Sequence, residues 1–236
     1  MEKHGFLTAA ILGLSIAVAG ISVGVGFYKG RAADRYVTVK GLAEREVDAD
    51  LAIWPITFNV AGNDLSKIQD GIDSSREIIT SFLMETGFKQ ENISYSAPKI
   101  TDTQTERQYG NAPQSPYRYV AQATVTTRTK DVQKIRKTME DSGKLVGKGI
   151  VLAAESWQTP TEFIFTALND IKPEMIEEAT KDARKAAEKF AMDSGSKVGK
   201  IRNATQGYFA ISDRDRNSPE LKIVRVVTTI EYYLVD

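Results

Sequence analysis

Residues 6–28 show no alternation of hydrophobic and polar positions, because all 23 lack charge. A helix of that length, rising 1.5 Å per residue, spans a hydrocarbon layer of about 30 Å. Lys3 precedes the run, and Lys29, Arg31 and Arg35 follow it. A cleaved signal peptide has a shorter apolar region, of about 7–15 residues. Ala17-Val18-Ala19 offers an A-x-A-like cleavage site, but the run continues for two turns beyond it. The expectation is a retained signal anchor, with cleavage as the alternative. Basic residues lie mostly on the C-terminal side, which on charge alone would keep the rest of the chain cytoplasmic. Long domains translocate with little regard to that rule, so charge does not decide orientation. Gly20 and Gly24 form a G-x-x-x-G in line with Ala9, Gly13 and Ala17. A face of small residues permits close helix–helix approach in lipid, although glycine and alanine are common in such spans.

Beyond a linker at 30–35 the pattern switches to periods of two and 3.6. Period two predicts strands beginning at Tyr36 and at residues 51–60, 93–105, 117–129, 150–157, 162–166, 200–211 and 221–235. Trp54, Ile56, Phe58 and Val60 share one strand face. Tyr119, Ala121, Ala123 and Val125 share another, and Val224, Val226, Thr228, Ile230, Tyr232 and Leu234 alternate inward in the last strand. Pro55 lacks a donor and predicts an edge or a bulge. Helical spacing joins Leu65, Ile68, Ile72, Ile79, Phe82 and Leu83, with Asn63 and Asp64 as caps and Gly87 as the stop. A short helix is expected at 131–142, capped by Asp131 and stopped at Gly143. The longest helix is expected at 172–194, with Pro173 in its first turn. Its predicted buried face is Met175, Ile176, Ala179, Ala183, Ala186, Ala187 and Phe190. The polar stretch 106–116 is a loop.

Helices fall between runs of strands rather than between each successive pair. That predicts an α+β fold of antiparallel sheet with helices packed on a face. The organisation is therefore a signal anchor and linker at 1–35 and a soluble domain at 36–236.

Composition narrows the chemistry. Four of the 31 basic and two of the 31 acidic residues precede Tyr36, which leaves 27 and 29 in the domain. No basic surplus suggests nucleic acid. The chain has no cysteine, and its one histidine is His4, in the tail. Disulfides, thiolate nucleophiles and cysteine-ligated metals are excluded, and the domain has no imidazole base. No metal site or cofactor is expected.

Candidate motifs fail on their details. Ser194-Gly-Ser-Lys197 matches S-x-x-K without the companion elements of that catalytic family. Gly195 to Lys200 has three residues between its glycines where a phosphate loop needs four, and Ile201 follows the lysine. Glu44, Glu46, Asp48 and Asp50 crowd one expected hairpin at every second position. Paired carboxylates could serve as acid and base or bind Ca²⁺, but this spacing predicts a solvated strand face. Tyr109, Tyr117 and Tyr119 surround the long loop and form a candidate binding surface, or else pack at its base.

The domain as a whole resembles the SIMPL-domain family, a domain of unknown function found in bacterial envelope proteins. Val39-Lys-Gly-Leu-Ala-Glu44 is similar to the family's opening V-x-G-x-(G/A)-x. Ala52-Ile-Trp-Pro55, Gly87 through Ile93, Tyr117-Arg-Tyr119 and Val125 through Val132 follow in the family's order. Ala179-Thr-Lys-Asp-Ala-Arg-Lys-Ala-Ala-Glu188, then Gly195 and Val198-Gly-Lys200, form the strongest block, and Val224 to Thr229 closes the pattern. The family places a lysine two positions after the arginine, whereas here Lys185 follows Arg184 directly. The resemblance, over about residues 36–236, implies export to the periplasm or envelope, association with stress tolerance, oligomers in some members, and no established catalytic residues.

The expectation is a non-enzymatic, membrane-anchored periplasmic or envelope protein that self-associates as a homo-oligomer and supports envelope integrity or oxidative-stress tolerance. The alternative is a binding module for a small molecule or envelope polymer, using the 106–119 loop. A carboxylate-based hydrolase is the remaining enzymatic option.

Overall fold

The computed structural model describes residues 12–26, 35–108, 116–154 and 159–235. Residues 12–26 form helix α1. After it come β1 (Tyr36–Asp48), β2 (Leu51–Gly62), α2 (Leu65–Glu85), a 3-10 turn (Gln90–Asn92), β3 (Ile93–Tyr95), β4 (Lys99–Asp102) and α3 (Thr103–Gln108). The chain continues through β5 (Tyr119–Thr129), α4 (Val132–Glu140), α5 (Gly143–Gly147), β6 (Val151–Leu152) and β7 (Glu162–Ile164). It ends with α6 (Leu168–Asp193), β8 (Lys197–Gln206), β9 (Ala210–Asp213) and β10 (Leu221–Val235). The strands form two sheets, one ordered β1-β10-β8 with β9 also on β10, the other β3-β5-β2-β6 with β4 on β5 and β7 on β2. Every strand pair described in the larger sheet is antiparallel, so the α+β expectation holds. The chain divides into two compact units, residues 1–45, 169–210 and 224–236, and residues 46–168 and 211–223.

In the second unit, β5 and β2 pair along eleven residues. Their inward positions, Trp54, Ile56, Phe58, Ala121, Ala123 and Val125, are buried. Ile68, Ile72, Ile79, Phe82 and Leu83 of α2 join the same core. The Asp64 carboxylate caps this helix by accepting from the Ser66 N–H. Hydrogen bonds from the Ser66 side chain and backbone hold its pKa below the usual Asp value. Gly87 sits at φ +88°, the left-handed conformation glycine adopts freely, and ends α2 as expected.

Pro55 is not on an edge strand, because β2 lies between β5 on one side and β6 and β7 on the other. The physical reason it is tolerated lies in the neighbouring lane. Thr57 turns its carbonyl to that side and accepts from the Ala153 N–H. By the two-residue repeat Pro55 faces the same side, opposite the interval between β7, which pairs 51–53, and β6, which pairs 58–59. Among the described residues no strand pairs with that interval, so the missing donor removes no ladder hydrogen bond there.

The strand expected at 93–105 is two short strands and a helix. Tyr95 opposes Val125 and Ile100 opposes Ala121, so the β3–β4 side carries one extra residue. This is a bulge, placed beside Pro98. Ser96 bridges it, its N–H donating to the Thr124 carbonyl and its Oγ accepting from the Thr124 N–H. The short helix expected at 131–142 ends at Glu140, and Gly143 opens α5 rather than only stopping α4.

The expected hairpin at 44–50 is not one, since β1 and β2 belong to different sheets. Glu44, Glu46 and Asp48 do share an exposed face of β1. Asp50 does not. Its carboxylate accepts from the backbone N–H groups of Thr166 and Ala167 and from the Thr166 hydroxyl, at 2.9–3.0 Å. These donors immediately precede Leu168, where α6 begins, so helix formation starts a turn earlier than Pro173 suggested.

In the first unit, α6 lies against β1 and β10. Ala183, Ala187, Val39, Ile230 and Tyr232 form the core. The buried positions of α6 recur every four residues, Met175, Ala179, Ala183, Ala187 and Ala191. Phe190, expected inside, is exposed, Ile176 and Ala186 are half-buried, and Ala191 takes the inward position. Alanines permit a close approach, and Gly41 makes it closer. A Cβ built on Gly41 would stand 1.9 Å from the Ala179 carbonyl oxygen and 2.4 Å from the Ala183 nitrogen. Beside this contact the Leu42 N–H donates to the Asp182 carboxylate at 2.9 Å. Arg45 spans Glu174 and Glu178 at 2.8 and 2.6 Å.

Candidate functional site

Three of the regions singled out in the sequence can be compared with their places in the fold. The first is α1. Its large apolar side chains, from Leu12 through Val25, are exposed on every side. A Cβ added at Gly20 or Gly24 would meet nothing within 4 Å, so the G-x-x-x-G face is open. The Ser22 hydroxyl is satisfied within the helix by the Val18 carbonyl, at 2.8 Å. No described helix is long and apolar enough to cross a membrane. The uncharged run extends beyond α1 on both sides, into residues outside the described ones.

The second is the tyrosine surface. Tyr109 lies outside the described residues. Tyr117 is half-exposed, and its carbonyl accepts from the Thr103 hydroxyl. Tyr119 packs against the second unit's core, with the Arg118 guanidinium 4.9 Å from its ring centre. Tyr117 and Tyr119 therefore do not form one surface, and Tyr119 serves the base of the loop. Arg118 also pairs with Asp102. Partial burial works to raise the Asp102 pKa, but hydrogen bonds from the Gln104 N–H and Arg118 outweigh it and keep it low.

The third is the carboxylates. Among the described residues no group of three or more could hold a metal ion. The buried carboxylate is Glu220, 5% exposed, and its partner is Arg136. Its second oxygen is buried without a hydrogen-bond partner. The neighbouring buried Lys222 pairs with Asp213. Glu220 thus meets a cation, whereas glycoside hydrolysis sets two carboxylates across a substrate.

Sequence reasoning missed two clefts of the second unit. One, of about 400 Å³, is lined by Asn92, Ser94, Arg128, Thr129, Lys130 and Thr166 among others. Arg128, near the end of β5, and Lys130, just beyond it, are exposed, whereas Thr127 is buried. No carboxylate pairs with either among the described residues; Glu91, which also lines the cleft, pairs with Lys89 at 3.6 Å. Two cations two positions apart at a strand's end were the available signal. The other cleft sets Tyr95 beside Asp73, Arg76 and Glu77. There the Tyr95 hydroxyl bonds to Thr80 and Gln90, and Arg76 donates to the Ser96 carbonyl.

The contacts of Gly41 with Ala179 and Ala183, and of Leu42 with Asp182, join the opening sequence block to the strongest one. A family model described as "SIMPL: Protein of unknown function (DUF541)" matches residues 37–225. The chain belongs to the SIMPL family. No curated protein matches it. The match opens one residue into β1 and ends ten residues before β10 does, so it takes in both units. Within this SIMPL domain the A-x-x-D-A-R block is a packing element. The block's charged residues are exposed, and among them the Asp182 carboxylate accepts the Leu42 N–H of β1.

Proposed function

We propose that this SIMPL protein is a non-enzymatic component of the bacterial envelope, held in the inner membrane by one helix over residues 6–28, with its domain in the periplasm. It self-associates and supports envelope integrity or oxidative-stress tolerance. The observation that carries the reading is α1, a helix apolar on every side, embedded in an uncharged run of 23 residues. Helices of that character are buried in a core or in lipid. The family resemblance supplies the envelope, and the absence of cysteine and of domain histidine supports a role without nucleophilic or imidazole catalysis. The open Gly20 and Gly24 face supports pairing between anchors. In membranes of cells making the full chain, alkaline carbonate should leave the protein in the pellet. Exposing spheroplasts to protease should digest its domain. Crosslinked dimers should be lost when Gly20→Ile and Gly24→Ile are combined. Release by carbonate sinks the anchor, and unchanged dimers sink the pairing face.

A second reading, a binding module, is favoured by the Arg128–Lys130 cleft rather than by the 106–119 loop, because Tyr119 is committed to packing. Its volume suits a small molecule, and two cations with no carboxylate partner among the described residues, set beside hydroxyls, suit a carboxylate or phosphate group. Arg128→Ala with Lys130→Ala should abolish retention of anionic glycan or phosphosugar probes while leaving the unfolding free energy within about 0.5 kcal/mol of the parent, as surface changes do. Equal retention by both proteins removes this site.

A further inference from the structure

One end of the first unit gathers the start of β1, the end of β10, the end of α6 and the start of β8. The Leu234 N–H donates to the Arg35 carbonyl, and Val235 pairs with Lys197. Met192 lines the same small cleft as Ser196, Lys197 and Val198. At this end three large apolar side chains stand in the open: Met192 at 74% exposure, Phe190 at 63% and Val235 at 46%. Phe190 and Met192 flank the buried Ala191 in the last turn of α6, so neither has a place in the core. The opposite end of the β8–β10 ladder, where Gln206 pairs with Thr228, is seven residues away along β10, about 23 Å at strand rise.

Arg35 is also where the chain arrives from α1. Eight residues separate the last described residue of α1 from Arg35. They reach no more than about 30 Å even when fully extended. The Arg35 end of the unit is therefore the part that the linker holds closest to the anchor.

We infer that this end, with Met192, Phe190 and Val235 as its contacts, seats on the lipid surface into which the chain's own helix inserts. The inference rests on the anchor reading above. The occupant is the bilayer because the short linker brings it within reach. Three side chains are too few to hold a free domain on a membrane. A tethered domain needs far less, since a short linker sets an effective concentration of the order of millimolar. Lys197 at the edge of the patch can reach headgroups while its stem lies along the apolar surface.

The test uses the full chain in lipid nanodiscs, and the lack of native cysteine makes single spin labels unambiguous. Labels go on Met192→Cys, Phe190→Cys, Val18→Cys in α1, and Tyr208→Cys, which is 98% exposed beyond the far end of the ladder. Each is read as relative accessibility to oxygen, which concentrates in lipid, and to a water-soluble nickel chelate. Met192 and Phe190 should show an oxygen-to-nickel ratio several-fold above that of Tyr208, and Val18 a higher one still. Val18 in lipid with Met192 and Phe190 matching Tyr208 overturns the docking alone. An aqueous signature at Val18 overturns the anchor and the docking with it.

Discussion

Gly41→Ala should destabilise the protein by about 3 kcal/mol, the upper end of what overpacking usually costs. The added Cβ meets backbone, not the end of a flexible side chain. It would stand 1.9 Å from the Ala179 carbonyl oxygen and 2.4 Å from the Ala183 nitrogen, so α6 itself must move. Moving α6 also stretches the Leu42–Asp182 hydrogen bond. A companion substitution separates backbone from side-chain crowding. Ala183→Gly removes the side-chain contact, which stands at 2.8 Å, but leaves the carbonyl where it is. Added to Gly41→Ala it should therefore fail to restore stability. Urea unfolding of the detergent-solubilised chain measures both. A loss below about 1 kcal/mol for Gly41→Ala would mean that the helix rides away from the strand at little cost, a milder effect than overpacking usually has.

Phe58→Ala should cost about 3–5 kcal/mol, the usual range for truncating a buried phenylalanine. Phe58 is 1% exposed and lies at the middle of the second unit's sheet, opposed by Ala123 on one side and Leu152 on the other. The small residues around it, Ala121 and Ala123, have no reach with which to fill the void. Three positions away in the same strand, Pro55→Val should change stability by less than about 1 kcal/mol, because its backbone faces the interval between β7 and β6. Equal losses at the two positions would contradict the lane assignment on which this contrast rests.

Much of this fold was legible because the period of two survives wherever a strand has one buried face. The inward residues of β2, β5 and β10 could be named from alternation, and α2 from its caps and its spacing. What alternation cannot show is which strand lies beside which. Pro55 looked like an edge residue because the interval opposite it is set by pairings some hundred residues later in the chain. The acidic run at 44–50 looked uniform because alternation ignores that the sheet changes between Asp48 and Asp50. Phe190 was placed inside because a wide helical stripe includes it, whereas the actual stripe is a single file at every fourth residue. Of the candidate site, the apolar helix and its glycines could be read directly. The Arg128–Lys130 cleft could not, since its walls come from β3, β5 and the segment before α6.

The single file of α6 carries little information about position. Ala179, Ala183, Ala187 and Ala191 present much the same surface after a slip of four residues, so the stripe alone would accept several settings of the helix along the strands. Polar contacts make the settings unequal. Asp182 answers one backbone N–H of β1, and Arg45 takes hold of Glu174 and Glu178 together. Exposed ion pairs add little stability, but here they work as an address. A variant lacking both contacts could stay folded and yet exist as a mixture of neighbouring registers, visible as doubled resonances for the alanine methyl groups of α6.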